Sequence, residues 1–297
     1  MVLEIETRVL DGACGPLTAE VVEGPDDLPA VVVHPGSPGS RLLFPPAAAH
    51  ALERHHLRLV SYDRPGYGTT PARPGRSVAD AAAEVAQLVD GLGLTRVGVL
   101  GVSGGGPYAL ASAALLPGTV SACCVVAGLA PYGAPGLDFA ASWSDEHRRE
   151  VELFFEDRPL AREHFRTEAG ELVGVLGRPE GWLERWGEAA GRDEAHSRAL
   201  AEHLARQMAD CLQGGDEGWW DDWASYLLDW GVPLDAIGAP VSLVYGAEDR
   251  SVPPEHGRAL ARLVGHAELE VVAGADHSTI EPEQRCRVYE WLRRAAR

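Results

Sequence analysis

A serine flanked by glycines ends an apolar run in the first half of the chain. Residues 97–108 read VGVLGVSGGGPY, so Ser103 stands in a Gly-x-Ser-x-Gly motif. Such a motif predicts a sharp turn between a buried strand and a helix, with the serine hydroxyl exposed above the sheet. Ser103 is therefore a candidate nucleophile for acyl transfer. Because 34 of the 297 residues are glycine, the motif alone proves little, and the rest of the chain must decide.

Two later segments could supply the base and the acid that a serine nucleophile needs. A serine hydroxyl is activated by a base within hydrogen-bond reach, which a carboxylate in turn orients. Asp249 lies three residues past Gly246, and His277 lies three residues past Gly274, each after a predicted strand. Both then lie at the carboxyl edge of the sheet, as Ser103 does. The order serine, acid, histidine predicts a catalytic triad of Ser103, Asp249 and His277.

Both triad partners have acidic neighbours that must be weighed. Glu248 adjoins Asp249, but the side chain of a neighbour on the same loop points elsewhere. Asp276 adjoins His277 and is expected to make a hydrogen bond within its own turn. We therefore favour Asp249 as the acid.

Backbone amides must also bind the oxyanion of the tetrahedral intermediate. The amide after the nucleophile, that of Gly104, is one predicted donor. The loop after the predicted strand Ala30–His34 reads HPGSPGS, and its glycines and prolines make a rigid turn that backbone can bring close to a substrate. We assign the second donor to the Ser37 amide and place His34 and Gly36 in the substrate pocket.

Short β-rich segments alternate with helix-period segments, which is typical of a doubly wound, mostly parallel α/β sheet. Eight strands are predicted, the first two as an antiparallel edge, at Leu3–Val9, Ala19–Glu23, Ala30–His34, Leu57–Tyr62, Arg96–Leu100, Ser121–Ala127, Val241–Tyr245 and Glu268–Val272. The predicted helices between them are Ala47–His56, Val78–Leu92, Gly105–Leu116, Glu255–Leu263 and Pro282–Ala296.

One long segment interrupts this alternation. From about Pro131 to Ile237 the sequence contains helix-period stretches and no convincing strand, and those stretches include Trp143–Phe155, Leu160–Leu172 and Glu194–Leu212. An insertion of this size after the sixth strand predicts a helical cap. The expected domains are a core over residues 1–130, a cap over 131–237 and the rest of the core over 238–297, with Gly133–Gly136 and Gly231–Gly238 as candidate hinges.

The cap segment contains seven of the eight tryptophans. Packing of the cap helices on each other is one interpretation of these indoles. The other is that some of them line an apolar pocket between core and cap, where ligand sites are common. For that pocket the candidates are Trp143, Trp219 and Trp220.

Composition excludes several classes of function. The formal net charge is −18, and a protein of that charge lacks the basic patch that nucleic acid requires. All 26 basic residues are arginine, which excludes lysine Schiff bases and Ser–Lys dyads. The five cysteines form no CxxC pair and indicate a reducing compartment without disulfides or structural zinc.

Targeting signals are also missing from the pattern. The N-terminal residues have neither a basic region nor a long apolar region, and no stretch reaches the ~18 apolar residues of a membrane span. We therefore expect a cytoplasmic protein without metal or organic cofactor. The oligomeric state stays open.

The chain resembles the α/β-hydrolase superfamily, in particular its capped serine hydrolases such as esterases and prolyl-iminopeptidase-like enzymes. The segments that carry the resemblance are HPGSPGSR at 34–41, YDRPGYGTT at 62–70, GVSGGGPYALA at 101–111, YGAEDRSVPPEHG at 245–257 and GADHS at 274–278. The resemblance implies the α/β-hydrolase fold, structural roles for Asp63 and Arg64, and a cis peptide between Ser37 and Pro38. It does not extend to the cap.

Several functions fit this pattern. The first is hydrolysis of a carboxylic ester of a small, largely apolar substrate through an acyl-enzyme on Ser103. The second is a prolyl-iminopeptidase-like aminopeptidase, whose cap carboxylates would bind a free amine, with Glu150, Glu152, Glu156 and Asp157 as candidates. A C–C bond hydrolase and a non-enzymatic ligand receptor on the same scaffold are further alternatives.

A dinucleotide site is disfavoured. Residues 104–109 fit G-x-G-x-x-A, but no acidic residue ends the next predicted strand. Dehalogenase and epoxide hydrolase chemistry is disfavoured as well, because it uses an aspartate where Ser103 stands.

Overall fold

An eight-stranded sheet forms the centre of the computed structural model, which describes residues 4–141, 143, 145–187 and 194–296 and omits the side chains of 146, 147 and 281–283. The strands are β1 (Ile5–Leu10), β2 (Leu17–Val22), β3 (Ala30–His34), β4 (Arg58–Tyr62), β5 (Val97–Val102), β6 (Val120–Val126), β7 (Val241–Gly246) and β8 (Glu268–Val272). They lie in the order β1-β2-β4-β3-β5-β6-β7-β8.

The direction of the strands confirms the predicted mostly parallel sheet. β2 pairs antiparallel with both β1 and β4, and every later pair is parallel. The predicted strands overlap the observed ones, with ends that differ by at most two residues; β3 and β8 have the predicted ends. The predicted start of the first strand, Leu3, lies outside the described residues.

Helices cover both faces of this sheet. They are α1 (Pro45–His55), α2 (Ala81–Gly91), α3 (Gly106–Leu115), α4 (Asp145–Glu156), α5 (Arg158–Leu176), α6 (Pro179–Trp186), α7 (Glu194–Cys211), α8 (Glu217–Leu227), α9 (Pro254–Val264) and α10 (Ile280–Ala295). We call α4–α8, which lie between β6 and β7, the cap helices. The sequence predicts three helical stretches between β6 and β7, whereas the described residues contain five helices there. The two additional helices are α6 and α8.

The central strands are buried on both faces. Along β5, Val99 packs into the core on one side of the sheet and Leu100 into the core on the other. Cys123 and Cys124 alternate in the same way along β6. This double burial explains why these strands appear in the sequence as continuous apolar runs instead of alternating ones.

Two further findings concern the chain as a whole. All five cysteines are free thiols. Among the described residues, no helix has the length and the apolar character needed to cross a bilayer.

The turn between β5 and α3 lies directly against the end of β3. A Cβ atom added to Gly105 would lie 2.0 Å from the backbone oxygen of His34. Such a distance is far inside van der Waals contact, and the obstacle is backbone that cannot rotate away. Only glycine therefore allows the two segments to approach this closely.

We expect Gly105→Ala to destabilise the fold by more than the roughly 1–3 kcal/mol typical of overpacking, because a strand end must shift. The matched control is Gly118→Ala, since nothing lies within 4 Å of a Cβ atom added there. Urea denaturation of both variants measures the difference. Equal midpoints for the two variants would contradict this account of the turn.

Candidate active site

Ser103 adopts a backbone conformation that side chains rarely adopt. It follows the last residue of β5, and its φ angle is 51°. A non-glycine residue in the left-handed region stores strain, and the tight turn around Ser103 depends on its glycine neighbours. A Cβ atom added to Gly101 would lie 2.5 Å from the backbone oxygen of Gly105. The outer glycines of the motif therefore permit the turn that presents the Ser103 hydroxyl.

Ser103, His277 and Asp249 form a continuous hydrogen-bonded line. The distance from Ser103 Oγ to His277 Nε2 is 3.0 Å, and that from His277 Nδ1 to Asp249 Oδ2 is 2.7 Å. A carboxylate at Nδ1 holds the proton on that nitrogen, so Nε2 presents a lone pair to the serine hydroxyl. The structure thus brings together all three residues proposed for the triad.

The acid of this line is itself held in place. The Asp249 side chain is fully buried, and its Oδ1 accepts hydrogen bonds from the amides of Ser251 (2.9 Å) and Val252 (2.8 Å). Only Oδ2 is left to face His277. Glu248, the rival acid, lies exposed on the surface.

Asp276, the residue before His277, stabilises the turn in which it lies. Its Oδ1 accepts hydrogen bonds from the amides of Ser278 (2.8 Å) and Thr279 (2.9 Å), just before α10 begins. These bonds fix the loop that carries His277.

The two proposed oxyanion donors face each other. A Cβ atom added to Gly104 would lie 2.6 Å from Ser37 Cβ and 3.1 Å from Ser37 N. A side chain at position 104 would therefore collide with the loop after β3. The Ser37–Pro38 peptide is cis, as the resemblance implies.

Arg64 holds the loop after β3 from below. Its guanidinium donates to the backbone oxygens of Pro35 (2.7 Å) and Gly36 (2.9 Å). The Gly36 carbonyl and the Ser37 N–H belong to one peptide group. A cation bound to that carbonyl polarises the group, which makes the Ser37 N–H a stronger donor.

A cap carboxylate, that of Asp222 on α8, organises this region. It is fully buried and forms ion pairs with Arg64, at 2.6 Å, and with Arg76. The Ser37 hydroxyl donates to Asp222 Oδ2 at 2.5 Å. Tyr67 and Tyr108 donate to the same carboxylate at 2.9 and 2.7 Å. Sequence analysis missed Asp222, which lies within WWDDWASYL without a motif to mark it.

The charge of Asp222 is secured by its neighbours. Burial alone would raise the pKa of the Asp222 carboxyl, but the guanidiniums of Arg64 and Arg76 lower it well below its usual range. The carboxylate therefore stays ionised and accepts from all its partners.

Helix α8 lies close enough to the core for backbones to touch. A Cβ atom added to Gly66 would lie 2.6 Å from the Cα atom of Gly218, at the start of α8. Tyr226, near the end of α8, donates from its hydroxyl to the Gly104 backbone oxygen at 2.8 Å. One cap helix thus contacts both segments that carry the proposed oxyanion donors.

A second ion-pair group joins cap and core through Arg41. Its Nη1 lies 2.7 Å from Asp63 Oδ2 and 2.8 Å from Asp210 Oδ2, which belongs to α7. The Arg41 amide also donates to Asp63 at 2.7 Å. Asp63 thus shares Arg41 with Asp210 of α7, and Arg64 pairs directly with Asp222 of α8.

A cavity of about 1110 Å³ opens above Ser103 between the core and the cap helices. Its wall includes Ser103, His277, Ser37 and Gly104, and most of the remainder is apolar. The apolar part includes Phe44, Leu172, Val175, Leu176, Trp182, Trp186, Leu204, Met208 and Trp223. Of the predicted pocket residues, Gly36, Trp143 and Trp219 line the cavity.

The other two predicted pocket residues do not reach it. Trp220 packs within the cap against the rings of Phe154 and Phe165, with centroids 5.8 and 5.5 Å away. His34 is completely buried behind the loop, where its Nδ1 lies 3.3 Å from the Tyr62 hydroxyl. Burial, and next to it the charge of Arg64, lower the pKa of His34 to about 3. His34 is therefore a neutral core residue.

Comparisons with known proteins identify the fold. A family model described as alpha/beta hydrolase fold matches residues 29–284. Over 157 residues the chain is 32% identical to RutD of Variovorax paradoxus, a protein named for carbamate hydrolysis; the match covers 44% of this chain and 59% of RutD. The chain thus spans less than two thirds of that relative.

Two other proteins match over more of the chain. A pimeloyl-acyl-carrier-protein methyl ester esterase of Neisseria meningitidis is 27% identical over 230 residues, 73% of this chain and 74% of the esterase. Among solved structures, an alpha/beta hydrolase fold protein from Nakamurella multipartita superposes with a TM-score of 0.68 at 25% identity, over 97% of this chain and 99% of that one.

We expect Ser37→Ala to lower kcat/KM for p-nitrophenyl acetate about tenfold, because the Ser37 amide loses the tether to Asp222 but is not removed. Removing an oxyanion donor outright costs roughly 10²–10³-fold. The control is Ser40→Ala, a buried serine of the same loop whose hydroxyl has no hydrogen-bond partner among the described residues. Circular dichroism first checks that both variants fold as the wild type does. Steady-state kinetics then compare their kcat/KM values. Equal kinetics for the two variants would show that the tether is irrelevant.

Proposed function

The chain belongs to the α/β-hydrolase family, and we propose that it is a serine hydrolase that cleaves a carboxylic ester through an acyl-enzyme on Ser103. The observation that carries the proposal is the hydrogen-bonded line from Ser103 through His277 to Asp249 at the floor of an apolar cavity. The name of the methyl ester esterase among its relatives supports an ester as the scissile bond.

Each step follows from the positions of these groups. Ser103 Oγ attacks the acyl carbon while His277 Nε2 takes its proton, and Asp249 stabilises the imidazolium. The amides of Gly104 and Ser37 bind the oxyanion. His277 then protonates the leaving alkoxide, which departs as the alcohol. A water molecule that gives a proton to His277 attacks the acyl carbon, and His277 returns that proton to Ser103 Oγ as the acid leaves, which restores the free enzyme.

The cavity favours a larger substrate than the small one predicted from the sequence. Pockets for drug-sized ligands measure roughly 300–1,000 Å³, so a cavity of about 1110 Å³ has room for an extended apolar group. We propose residues 131–237 as a cap domain that forms the roof of this cavity. The free thiols support the proposed cytoplasmic location, where thiols stay reduced.

The aminopeptidase alternative has less support. Glu152 and Glu156 are exposed and form ion pairs with Arg149 on the surface of α4. Asp157 accepts from the Leu160 amide and caps α5. Of the four cap acids considered, only Glu150 lines the cavity, together with Glu168 and Glu171 of α5, so the set of carboxylates predicted for a free amine is not the one found there.

We expect Ser103→Ala to abolish labelling by a fluorophosphonate probe and to lower ester hydrolysis roughly 10⁴-fold or more, because the nucleophile is gone. Ser278→Ala is the matched control: this serine also lines the cavity but is not part of the triad. Labelling is followed by mass spectrometry and hydrolysis by release of p-nitrophenol. Normal turnover in Ser103→Ala would contradict the proposal. A wild type that the fluorophosphonate probe does not label would favour a ligand receptor.

A series of p-nitrophenyl esters tests the substrate class. From acetate through butyrate to octanoate, we expect kcat/KM to rise by roughly 10–100-fold, since each buried methylene contributes at most about 0.8 kcal/mol. Prolyl p-nitroanilide is the comparison substrate and should be turned over poorly. A kcat/KM that stays constant or falls along the ester series would contradict an extended apolar substrate. Efficient cleavage of the anilide would instead support the aminopeptidase alternative.

A further inference from the structure

Three metal-ligating side chains meet on the surface away from the triad. His50 and His55 belong to α1, and Cys286 belongs to α10. His50 Nε2 lies 3.2 Å from His55 Nε2 and 3.2 Å from Cys286 Sγ, and all three atoms lie within 4.8 Å of one another. None of the three residues is among the described residues that form the wall of the substrate cavity.

The protons of this cluster do not satisfy all three atoms. His50 Nε2 faces two partners at once but has either one hydrogen or one lone pair in its ring plane. His55 Nδ1 is buried and lies 3.7 Å from the Glu290 carboxylate, which favours a proton on Nδ1 and a lone pair on Nε2. With the His50 proton on Nδ1 as well, two imidazole lone pairs and the sulfur belong to atoms within 4.8 Å of one another, a spacing that a single cation can bridge.

Two of the three separations, both measured from His50 Nε2, suit a tetrahedral cation, and the third lies within 4.8 Å. Zn²⁺ binds imidazole nitrogen at ~2.05 Å and thiolate sulfur at ~2.3 Å, so tetrahedral ligands lie ~3.3 Å apart for two nitrogens and ~3.5 Å apart for nitrogen and sulfur. The two separations of 3.2 Å measured from His50 Nε2 differ from these values by a few tenths of an ångström.

The surroundings resemble those of a metal-bound histidine. Ligand histidines commonly direct their other ring nitrogen to a carboxylate, which fixes the ring and its tautomer. The Glu290 carboxylate lies on that side of His55, 3.7 Å from Nδ1 and thus beyond hydrogen-bond length, one helical turn after Cys286 on α10. The Tyr289 ring packs edge-on against His55, with centroids 5.7 Å apart, and limits its rotation.

We propose that His50, His55 and Cys286 bind a zinc-like divalent cation that joins α1 to α10. The Cys286 thiol releases its proton to solvent as the sulfur becomes a ligand, and water completes the tetrahedron. Helix α10 begins three residues after His277, so the cation fixes the helix that follows the histidine loop. The sequence indicated no metal because Cys286 lies 236 residues from His50 and no pair of cysteines marks the site.

Titration of the metal-free full-length chain with Co²⁺, a spectroscopic substitute for Zn²⁺, tests the proposal. We expect a thiolate-to-cobalt charge-transfer band that saturates at one equivalent and disappears when Zn²⁺ displaces Co²⁺. Cys286→Ser should abolish the band, and His50→Gln and His55→Gln should each weaken Co²⁺ binding at least tenfold. Glu290→Gln should weaken it roughly tenfold, through the orientation of His55.

Matched controls separate this site from other thiols and histidines. Cys14→Ser and His56→Asn should keep the band, since neither residue belongs to the cluster. In the wild type, Zn²⁺ should also slow the reaction of Cys286 with a thiol reagent. A band that persists in Cys286→Ser, or a folded wild type that shows no saturable binding, would overturn the site. Equal Cys286 reactivity with and without Zn²⁺ would also overturn it and leave a reactive thiol in its place.

Discussion

The buried ion pairs of Asp222 are the interaction on which the rest of the site depends. A carboxylate without water is stable only when opposite charges and hydrogen bonds replace its hydration. Asp222 obtains them from Arg64, Arg76 and three hydroxyl groups, all of which belong to the core. The carboxylate itself belongs to a cap helix. Moving α8 away from the core would therefore leave charged groups of both signs without their ion-pair partners. Helix α8 is therefore a fixed part of the active site.

The same charges extend to the proposed oxyanion hole. Asp222 anchors the side chain of Ser37, while Arg64 binds the carbonyl of the peptide that contains the Ser37 amide. The two contacts hold that peptide from both sides and orient its N–H. Donors fixed before the reaction need no reorganisation when negative charge develops. A pair of ions that contributes little to stability after desolvation can thus contribute to catalysis through orientation.

The sequence predicted the residues that stand at strand ends and missed those that act across the cap. Ser103, Asp249, His277 and Ser37 could be proposed from the sequence because each follows a strand, and parallel strands end at one edge of a sheet. Asp222 could not, because it lies in mid-helix and its partners are scattered between residues 37 and 108. Its one signal was a charged pair inside an otherwise apolar stretch.

The placement of His34 and Trp220 in the pocket was wrong for a related reason. Sequence shows that a residue is large or close to a loop, but it does not show which side the ring faces. Both indoles pack against Phe165, but Trp220 also turns toward Phe154, whereas its neighbour Trp219 lines the cavity. A difference of one position on a helix rotates a side chain by about 100°, which is enough to move it from the cavity wall into the packed interior of the cap helices.

Helix α8 couples the shape of the cavity to the chemistry beneath it. Trp219, Trp223 and Tyr226 line the cavity on this helix, while Asp222 holds the Ser37 loop. Asp222 is three positions from Trp219 and four from Tyr226, so their side chains project from neighbouring faces of one rigid helix. A change in the α8 wall can therefore shift the tether to Ser37. Leu172 and Val175 on α5 also line the cavity, but their apolar side chains take no part in the hydrogen bonds of Asp222. Substitutions on α5 can therefore change substrate preference at little cost to catalysis, whereas substitutions on α8 change substrate preference and catalysis together.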